Sequence, residues 1–588
     1  LLVGLLTGWC QALQVADLAQ VDRPQTFVRS DTTAEAQGLS GVALRAVPAA
    51  DRGVAFVHRS GAVGADKRFM IECVGAGLGL VDVDADGDLD LYLVQGGEVD
   101  RRGHVRTGEA SGDALYLNDG RGHFVDAGES AGELADGFGF GIAAADVDGD
   151  GDEDLLITQL GQNQLLLSDG SGGFAQASHA QGLAGSPDDW SMAAAFGDAD
   201  IDGDLDVYVT NYLAHDLEHV MLTGTPCRWL GCEVPCGPAG LTPQADRFFI
   251  NDGSGHFEDV TDDCGLGDVA PGYAFQVVFA DLDGDVDLDL FVANDSVPNT
   301  FFVNKGPGDD GRPRFAEQGM RAGLALSAMG KEQAGMGVAL GDVDGDLLPD
   351  MVMTNFSREH NALFLNASMP GMGALFFDES GSGGIGRPSY FDLGWGATLF
   401  DVELDGDLDL FVSNGHIYPQ VAGCEISQVA FGQQDRLSLQ VKSGRFEPGP
   451  EVQLGEALAS RGLAAGDLDG DGDIDLVSST LDSAPVFVIN ESTRAGHWLS
   501  VELLPVLDAV GATVTIESGA GDDVVSQRRA VVRGSSFLCT EDRRVHFGVA
   551  DGAPVTVQVT WPDGTVESHA EVALDQRVTL SRGQARQR

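Results

Sequence analysis

Basic side chains are scarce. Lysine and arginine total 34 in 588 residues against 92 aspartates and glutamates, a net charge of −58. A surface this negative repels phosphate backbones, so nucleic acid is excluded as a partner. Anionic membrane surfaces are disfavoured for the same reason. Long apolar runs are lacking too: after LLVGLL at Leu1 to Leu6, nothing reaches the ~18 consecutive apolar residues of a membrane-spanning helix. Bulk disorder is not expected, because 43% of the residues are apolar and can build cores. The 81 glycines, about twice the usual share and without a triplet period, announce many turns. The length alone suggests about three to five domains, fewer if one is a propeller or barrel.

The amino terminus, LLVGLL followed by Cys10-Gln11-Ala12, reads as the remnant of a secretory signal peptide over residues 1–12, with cleavage near Ala12. A lipid-modified Cys10 and a frayed apolar end are the alternatives. Of eight cysteines, Cys227, Cys232, Cys236 and Cys264 fall within 38 residues, whereas Cys10, Cys73, Cys424 and Cys539 are scattered. In an exported chain the cluster is expected to form disulfides whose connectivity the spacing leaves open. A zinc site with His215 and His219 is the competing use.

One nonapeptide recurs seven times. It reads DVDADGDLD from Asp82, DVDGDGDED from Asp146, DADIDGDLD from Asp198, DLDGDVDLD from Asp281, DVDGDLLPD from Asp342, DVELDGDLD from Asp401 and DLDGDGDID from Asp467. The start-to-start spacings are 64, 52, 83, 61, 59 and 66 residues, the period of stacked units too small to bury their own apolar faces. A glycine- and alanine-rich apolar run precedes most clusters, as in FGFGIAAA from Phe138, and an alternating run follows, as in LFVA from Leu290. Period-two alternation is a strand signal. Segments such as ALYLNDGRGHF from Ala114 add two more strands around an Asn-Asp-Gly hairpin turn. Four antiparallel strands repeated seven times make an all-β chain with a seven-bladed β-propeller. The last unit lacks its fourth strand, and GVAFVHRS (Gly53 to Ser60) is expected to fill that edge, since open sheet edges are avoided. Beyond about residue 495 the clusters stop, and runs such as HWLSVELL from His497 and VTVQVTW from Val555 point to a smaller β-sandwich-like domain.

Carboxylates on alternate residues repel one another by several kcal/mol unless a cation neutralises them. Several hard oxygen ligands and no nitrogen or sulfur select Ca²⁺. The expected ligands are side chains at positions one, three, five and nine, with the main-chain carbonyl at seven. They are Asp82, Asp84, Asp86, Asp88 and Asp90; Asp146, Asp148, Asp150, Asp152 and Asp154; Asp198, Asp200, Asp202, Asp204 and Asp206; Asp281, Asp283, Asp285, Asp287 and Asp289; Asp342, Asp344, Asp346, Leu348 and Asp350; Asp401, Glu403, Asp405, Asp407 and Asp409; Asp467, Asp469, Asp471, Asp473 and Asp475. This gives up to seven Ca²⁺, one per blade. The fourth to sixth loops depart most from the pattern: Val286 and Leu347 stand where glycine is expected, and Glu403 replaces an aspartate. An EF-hand is excluded. Position twelve is Leu93, Ile157, Val209, Val292, Met353, Val412 or Ser478 instead of a bidentate acid, and strands rather than helices flank the loops.

FGFGIAAADVDGDGDEDLLI (Phe138 to Ile157) resembles FG-GAP (VCBS-type) repeats, the calcium-binding blades also found in integrin α-subunits. RGSSFLCTEDRRVHFGVADGAPVTVQVTWPDGTVE (Arg533 to Glu567) and GHWLSVELL (Gly496 to Leu504) resemble the ASPIC/UnbV domain. The combination is similar to the cartilage acidic protein family and its bacterial relatives. The resemblance implies an exported calcium-binding propeller whose animal relatives are linked to extracellular matrix. The domains are then residues 13–52 as an N-terminal linker, 53–492 as the propeller with a Cys-rich insertion at 213–245, and 493–588 as the ASPIC/UnbV-like domain.

Catalytic look-alikes do not survive their contexts. GESAG (Gly128 to Gly132) lacks the helix a nucleophile elbow needs. GSGGIG (Gly381 to Gly386) is followed by Pro388 and an expected strand where a dinucleotide fold needs a helix. His416, in NGHIYP, reads as a structural histidine. Four glycosylation sequons, at Asn294, Asn355, Asn366 and Asn490, matter only in a glycosylating host. The sequence therefore points to a secreted or cell-surface (or periplasmic) adhesion or binding protein with an unknown protein or glycan ligand. The alternative is an enzyme or accessory protein in natural-product biosynthesis with a site at the propeller channel.

Overall fold

In a computed structural model, residues 41–61, 67–99, 105–106, 112–214, 227–369, 371–423, 429–452, 457–519 and 524–584 are described. The apolar run before each acidic cluster forms a strand, and the alternating run after it forms the next, starting at the cluster's ninth residue: Phe138–Ala145 pairs with Asp154–Leu160, and Ala274–Ala280 with Asp289–Asn294. Aspartate- and glycine-rich stretches are poor ladder residues, so the chain turns there. Two further strands joined by a turn complete the first six sheets, the seventh takes its fourth strand from the amino-terminal part of the chain, and seven four-stranded antiparallel sheets result between Leu44 and Asn490. Their first strands are Leu78–Val81, Phe138–Ala145, Ser191–Gly197, Ala274–Ala280, Val338–Gly341, Gly394–Phe400 and Ser460–Gly466. Each lies against the next in chain order, and the seventh returns to the first. The sheets form a closed ring, a β-propeller.

The strand that closes the seventh sheet is Leu44–Pro48, in register from Leu44↔Asn490 to Pro48↔Val486. The expectation that residues 53–60 fill this edge, and that a linker runs to residue 52, is corrected. Neither LRAVP nor GVAFVHRS alternates cleanly, so periodicity alone does not choose between them. A helical turn at Ala49–Arg52, ended by Gly53 at φ 89°, diverts the chain after Pro48. It lowers Val54 and Phe56 into the seam between the seventh and first sheets, beside Phe124, Phe487 and Leu78.

The Cys-rich insertion contributes a hairpin, Cys227–Trp229 with Cys232–Val234, locked by a Cys227–Cys236 disulfide. Cys264 is a buried free thiol in the hydrophobic core rather than a disulfide partner. Cys10, Cys424, His215 and His219 lie outside the described residues. GSGGIG runs into a single helical turn, Gly386–Ser389, where a strand was expected.

The carboxy-terminal strands build a sandwich. His497–Leu504, Val545–Val549 and Gln576–Ser581 face Thr513–Ser518, Val525–Ala530, Val555–Thr560 and Val566–Val572 across a core that includes Val501, Phe547, Ile516 and Trp561. The connection after Ala530 leaves the sandwich and enters the centre of the ring. There Phe537, Leu538, Cys539 and Thr540 are fully buried. This plug hydrogen-bonds to the first strand of every sheet. Leu80, Ile142, Phe196 and Val338 donate their N–H groups to the carbonyls of Thr540, Leu538, Arg533 and Ser536 at 3.1, 3.2, 3.1 and 2.8 Å. Ala397 donates to Ser536 Oγ at 3.2 Å and Ala465 to Glu541 Oε1 at 3.2 Å, while Leu538 donates to Gln276 Oε1 at 3.0 Å. Buried Arg533 pairs with buried Glu153. The channel in which sequence reasoning placed an alternative reaction centre is filled at this end.

Candidate metal centres

All seven acidic loops share one backbone design. The first aspartate accepts the N–H of the sixth residue: Gly87, Gly151, Gly203, Val286, Leu347, Gly406 and Gly472 donate at 2.7–3.1 Å. The ninth aspartate accepts an N–H from the third strand of its own sheet, from Asn118, Ser168, Asn251, Asn304, Asn366, Gln440 and Asn490 at 2.8–3.0 Å. In six loops its other oxygen accepts the N–H of the second residue, as Val83 donates to Asp90 at 3.0 Å. The loop is thus folded around its own carboxylates before any ion is considered.

Two residues per loop need a left-handed backbone. At position six φ is 97, 102, 98, 83, 69, 101 and 93° in chain order, and at position four Ala85, Ile201 and Leu404 also have positive φ where the other loops have glycine. Every loop supplies a glycine at one of the two positions. Val286 and Leu347 therefore keep the geometry that their missing glycines put in question, at a cost of about 1–2 kcal/mol each. Val286→Gly is expected to stabilise the chain by about 1 kcal/mol after the added unfolded-state entropy is deducted. The readout is a higher urea midpoint at unchanged slope.

Carboxylates converge where the loop turns. One oxygen each from Asp82, Asp84 and Asp90 lies within 4.8 Å of the others, and the same holds for Asp146, Asp148 and Asp154, for Asp198, Asp200 and Asp206, and for Asp342, Asp344 and Asp350. In the fourth loop the trio is Asp281, Asp283 and Asp285. The fifth residues Asp86, Asp150 and Asp202 are exposed. Side chains at the seventh position turn away toward the hairpin of the same sheet, Asp88 over Gly120, Asp152 over Gly170 and Asp204 over Gly253.

The donor set fits a hard cation. Asp82 Oδ1, Asp84 Oδ1, Asp200 Oδ1, Asp283 Oδ1 and Glu403 Oε2 are buried and have no hydrogen-bond donor among the described residues. Burial, with like charge beside it, raises these carboxyls. Asp200 and Asp90 reach about 7, Asp146, Asp198 and Asp283 about 6, and Asp154 and Asp350 about 8. A folded-state value above the unfolded one means that each group favours the metal-free fold below pH ~4 and disfavours it as pH rises through 6–8. Calcium is therefore expected to displace protons at pH 7, with uptake weakening as the solution is acidified. Calorimetric titration in buffers of different ionisation heat reads the released protons, and heats that do not depend on the buffer would contradict this.

Two features of the site escaped sequence reasoning. The asparagines read as turn formers also tie neighbouring loops together. Asn118, Asn251, Asn304, Asn366 and Asn490 donate side-chain N–H to the carbonyls of Leu468, Val147, Ala199, Leu282 and Val402, each the second residue of the preceding sheet's loop. Only Asn118 and Asn251 stand before Asp-Gly in the sequence; Asn304, Asn366 and Asn490 do not, and the shared target was not visible for any of them. The carboxy-terminal domain also grips the loops: Arg544 and Arg577 donate to Gly87 O, Arg528 to Leu347 O at 3.2 Å, and His546 Nε2 lies 3.0 Å from Gly472 O. All are sixth-position carbonyls.

The FG-GAP-like repeat family matches residues 82–157, 146–209, 239–292, 281–353 and 426–478, and the ASPIC and UnbV family matches residues 506–587. Cartilage acidic protein 1 of Mus musculus is 28% identical over 305 residues, 50% of this chain and 42% of that protein. The Homo sapiens protein of the same name is 29% identical over 294 residues, 48% and 39%. The matches span about two fifths of these relatives' length. Among solved structures, PorZ, a surface component of the type-IX secretion system of Porphyromonas gingivalis, aligns at TM-score 0.40 and 12% identity over 89% of this chain and 60% of that one. An N-acetylglucosamine-recognising lectin of Agrocybe aegerita aligns at TM-score 0.35 and 14% identity over 71% and 91%.

Proposed function

The chain belongs to the FG-GAP repeat family and carries an ASPIC and UnbV domain, and from that premise we propose that it is a calcium-stabilised binding protein. It acts outside the cell or at its surface and presents propeller loops to a protein or glycan ligand. The supporting observation is the set of buried loop carboxylate oxygens with no hydrogen-bond donor among the described residues, in loops whose first and ninth aspartates already hold backbone N–H groups. Each ion would be held by the first, third, fifth and ninth side chains and by the seventh carbonyl. Bound calcium supplies charge neutralisation and a rigid turn between the first two strands of a sheet. Around it, the ninth aspartate, the third-strand amide and the cross-sheet asparagine fix the loop to its own and the neighbouring sheet. No helix among the described residues is long and apolar enough to cross a membrane. Residues 533–541 fill the channel at the end that faces the carboxy-terminal domain, which leaves no room for a reaction there. The test is stoichiometric. Asp146→Ala together with Asp150→Ala is expected to remove one calcium per chain by direct titration, and an unchanged count would mean that the second loop holds none.

A further inference from the structure

The acidic loops lie where second strands begin. At the opposite end, where they finish, the ring's mouth is roofed by the Cys227–Cys236 hairpin, whose Trp229 reaches across to Phe356 and Tyr418 with ring centroids 6.0 and 6.3 Å away. Beneath these rings is a cavity with Tyr212, Phe275 and Trp395 in its opposite wall. Its acidic members are Asp295 and Glu359. Both are half-buried, and neither makes an ion pair among the described residues. Asp295 accepts the Tyr212 hydroxyl at 2.7 Å and the Ser296 hydroxyl at 2.8 Å, and Glu359 accepts the Ala334 N–H at 2.8 Å. Tyr418, only 7% exposed, lines the same cavity. Arg461, whose guanidinium lies 4.2 Å from the centroid of the Trp395 ring, is committed to the carbonyls of Cys73, Gly415, Ser460 and His416. Two carboxylates in an apolar recess, with no ion-pair partner among the described residues, are relieved either by taking up protons, as burial favours for both, or by a cation that joins them.

Which cation follows from the walls. A hard ion such as calcium needs six or more oxygens, and this recess offers few. Aromatic faces and carboxylates together suit an alkylammonium group, whose charge meets the acids while its carbon chain lies against the rings. We propose that this cavity binds a small organic ammonium ion. The site does not depend on metal in the loops, which lie at the other end of the second strands.

The probe is n-butylammonium, titrated into the full calcium-containing chain with tryptophan fluorescence (Trp229 and Trp395) and calorimetry as readouts. n-Butanol serves as the uncharged isostere and potassium chloride as the metal control. Saturable ammonium binding at least about ten-fold tighter than butanol is expected, and Glu359→Gln is expected to remove most of that difference while leaving butanol unchanged. Asp295→Asn should act in the same way if its melting temperature matches the parent's. Equal affinity for ammonium and butanol, no saturable binding, or displacement by equimolar potassium would overturn the proposal. The comparison of ammonium with butanol on the unaltered chain needs no variant, so a folding failure does not blur the result.

Discussion

Stripping calcium with excess chelator is expected to lower the melting temperature of the whole chain by on the order of ten to twenty degrees. At ~1 mM calcium and a dissociation constant of ~0.1 mM each site contributes about 1.4 kcal/mol, and seven contribute about 10 kcal/mol. Unfolding entropies of ~2 cal/mol/K per residue convert that to about nine degrees for a chain of this size, and ten-fold tighter sites roughly double it. The loss should appear as one transition. The plug hydrogen-bonds to all seven first strands, and asparagines link five pairs of adjacent sheets, so no sheet can loosen alone. The effect should grow between pH 6 and 8. There the buried carboxyls raised to about 6–8, such as Asp146, Asp90 and Asp350, lose their protons and repel one another in the metal-free chain. A melt that does not move in excess EGTA at pH 7.5 (about neutral) would remove structural calcium from the account.

Deleting residues 41–48 should be nearly as damaging. The segment supplies five paired residues to the seventh sheet and the buried Val47. At about 1 kcal/mol per backbone hydrogen bond and about 2 kcal/mol for the valine, the direct loss is on the order of 5 kcal/mol. The exposed strand Val486–Asn490 then becomes a free edge, an invitation to aggregation. Calorimetry and light scattering on the deletion read both consequences. Arg45→Ala is the control: its ion pair with Glu491 is half-exposed on both sides and should contribute little. A deletion that melts like the parent, without scattering, would show that the ring is closed by other contacts.

The comparison of sequence with structure divides along the range of the interactions. Loops such as Asp146–Asp154 were legible because all their determinants lie within nine residues: alternate carboxylates, a glycine for the left-handed turn, and a strand beginning at the last aspartate. The four strands of each sheet were legible for the same reason, since alternation and a tight turn are local. Val286 and Leu347 were misleading for a local reason too. The left-handed turn is enforced by the N–H bond to the first aspartate and by the flanking ladder, which hold a residue that would avoid the conformation by itself. Sequence could not decide between Leu44–Pro48 and Gly53–Ser60 as the closing strand, because neither alternates cleanly and the partner lies more than 400 residues away. Nor could it place Arg533–Glu541. That segment is neither a strand pattern nor a turn pattern, and its amides and carbonyls find partners only once seven sheets surround them. What the chain carries locally is the blade and its ion loop. Which strand seals the ring, what occupies its centre and which rings and acids meet at its mouth are decided by tertiary packing, because backbone groups and charges buried far apart in sequence must find partners in the one arrangement that brings them together.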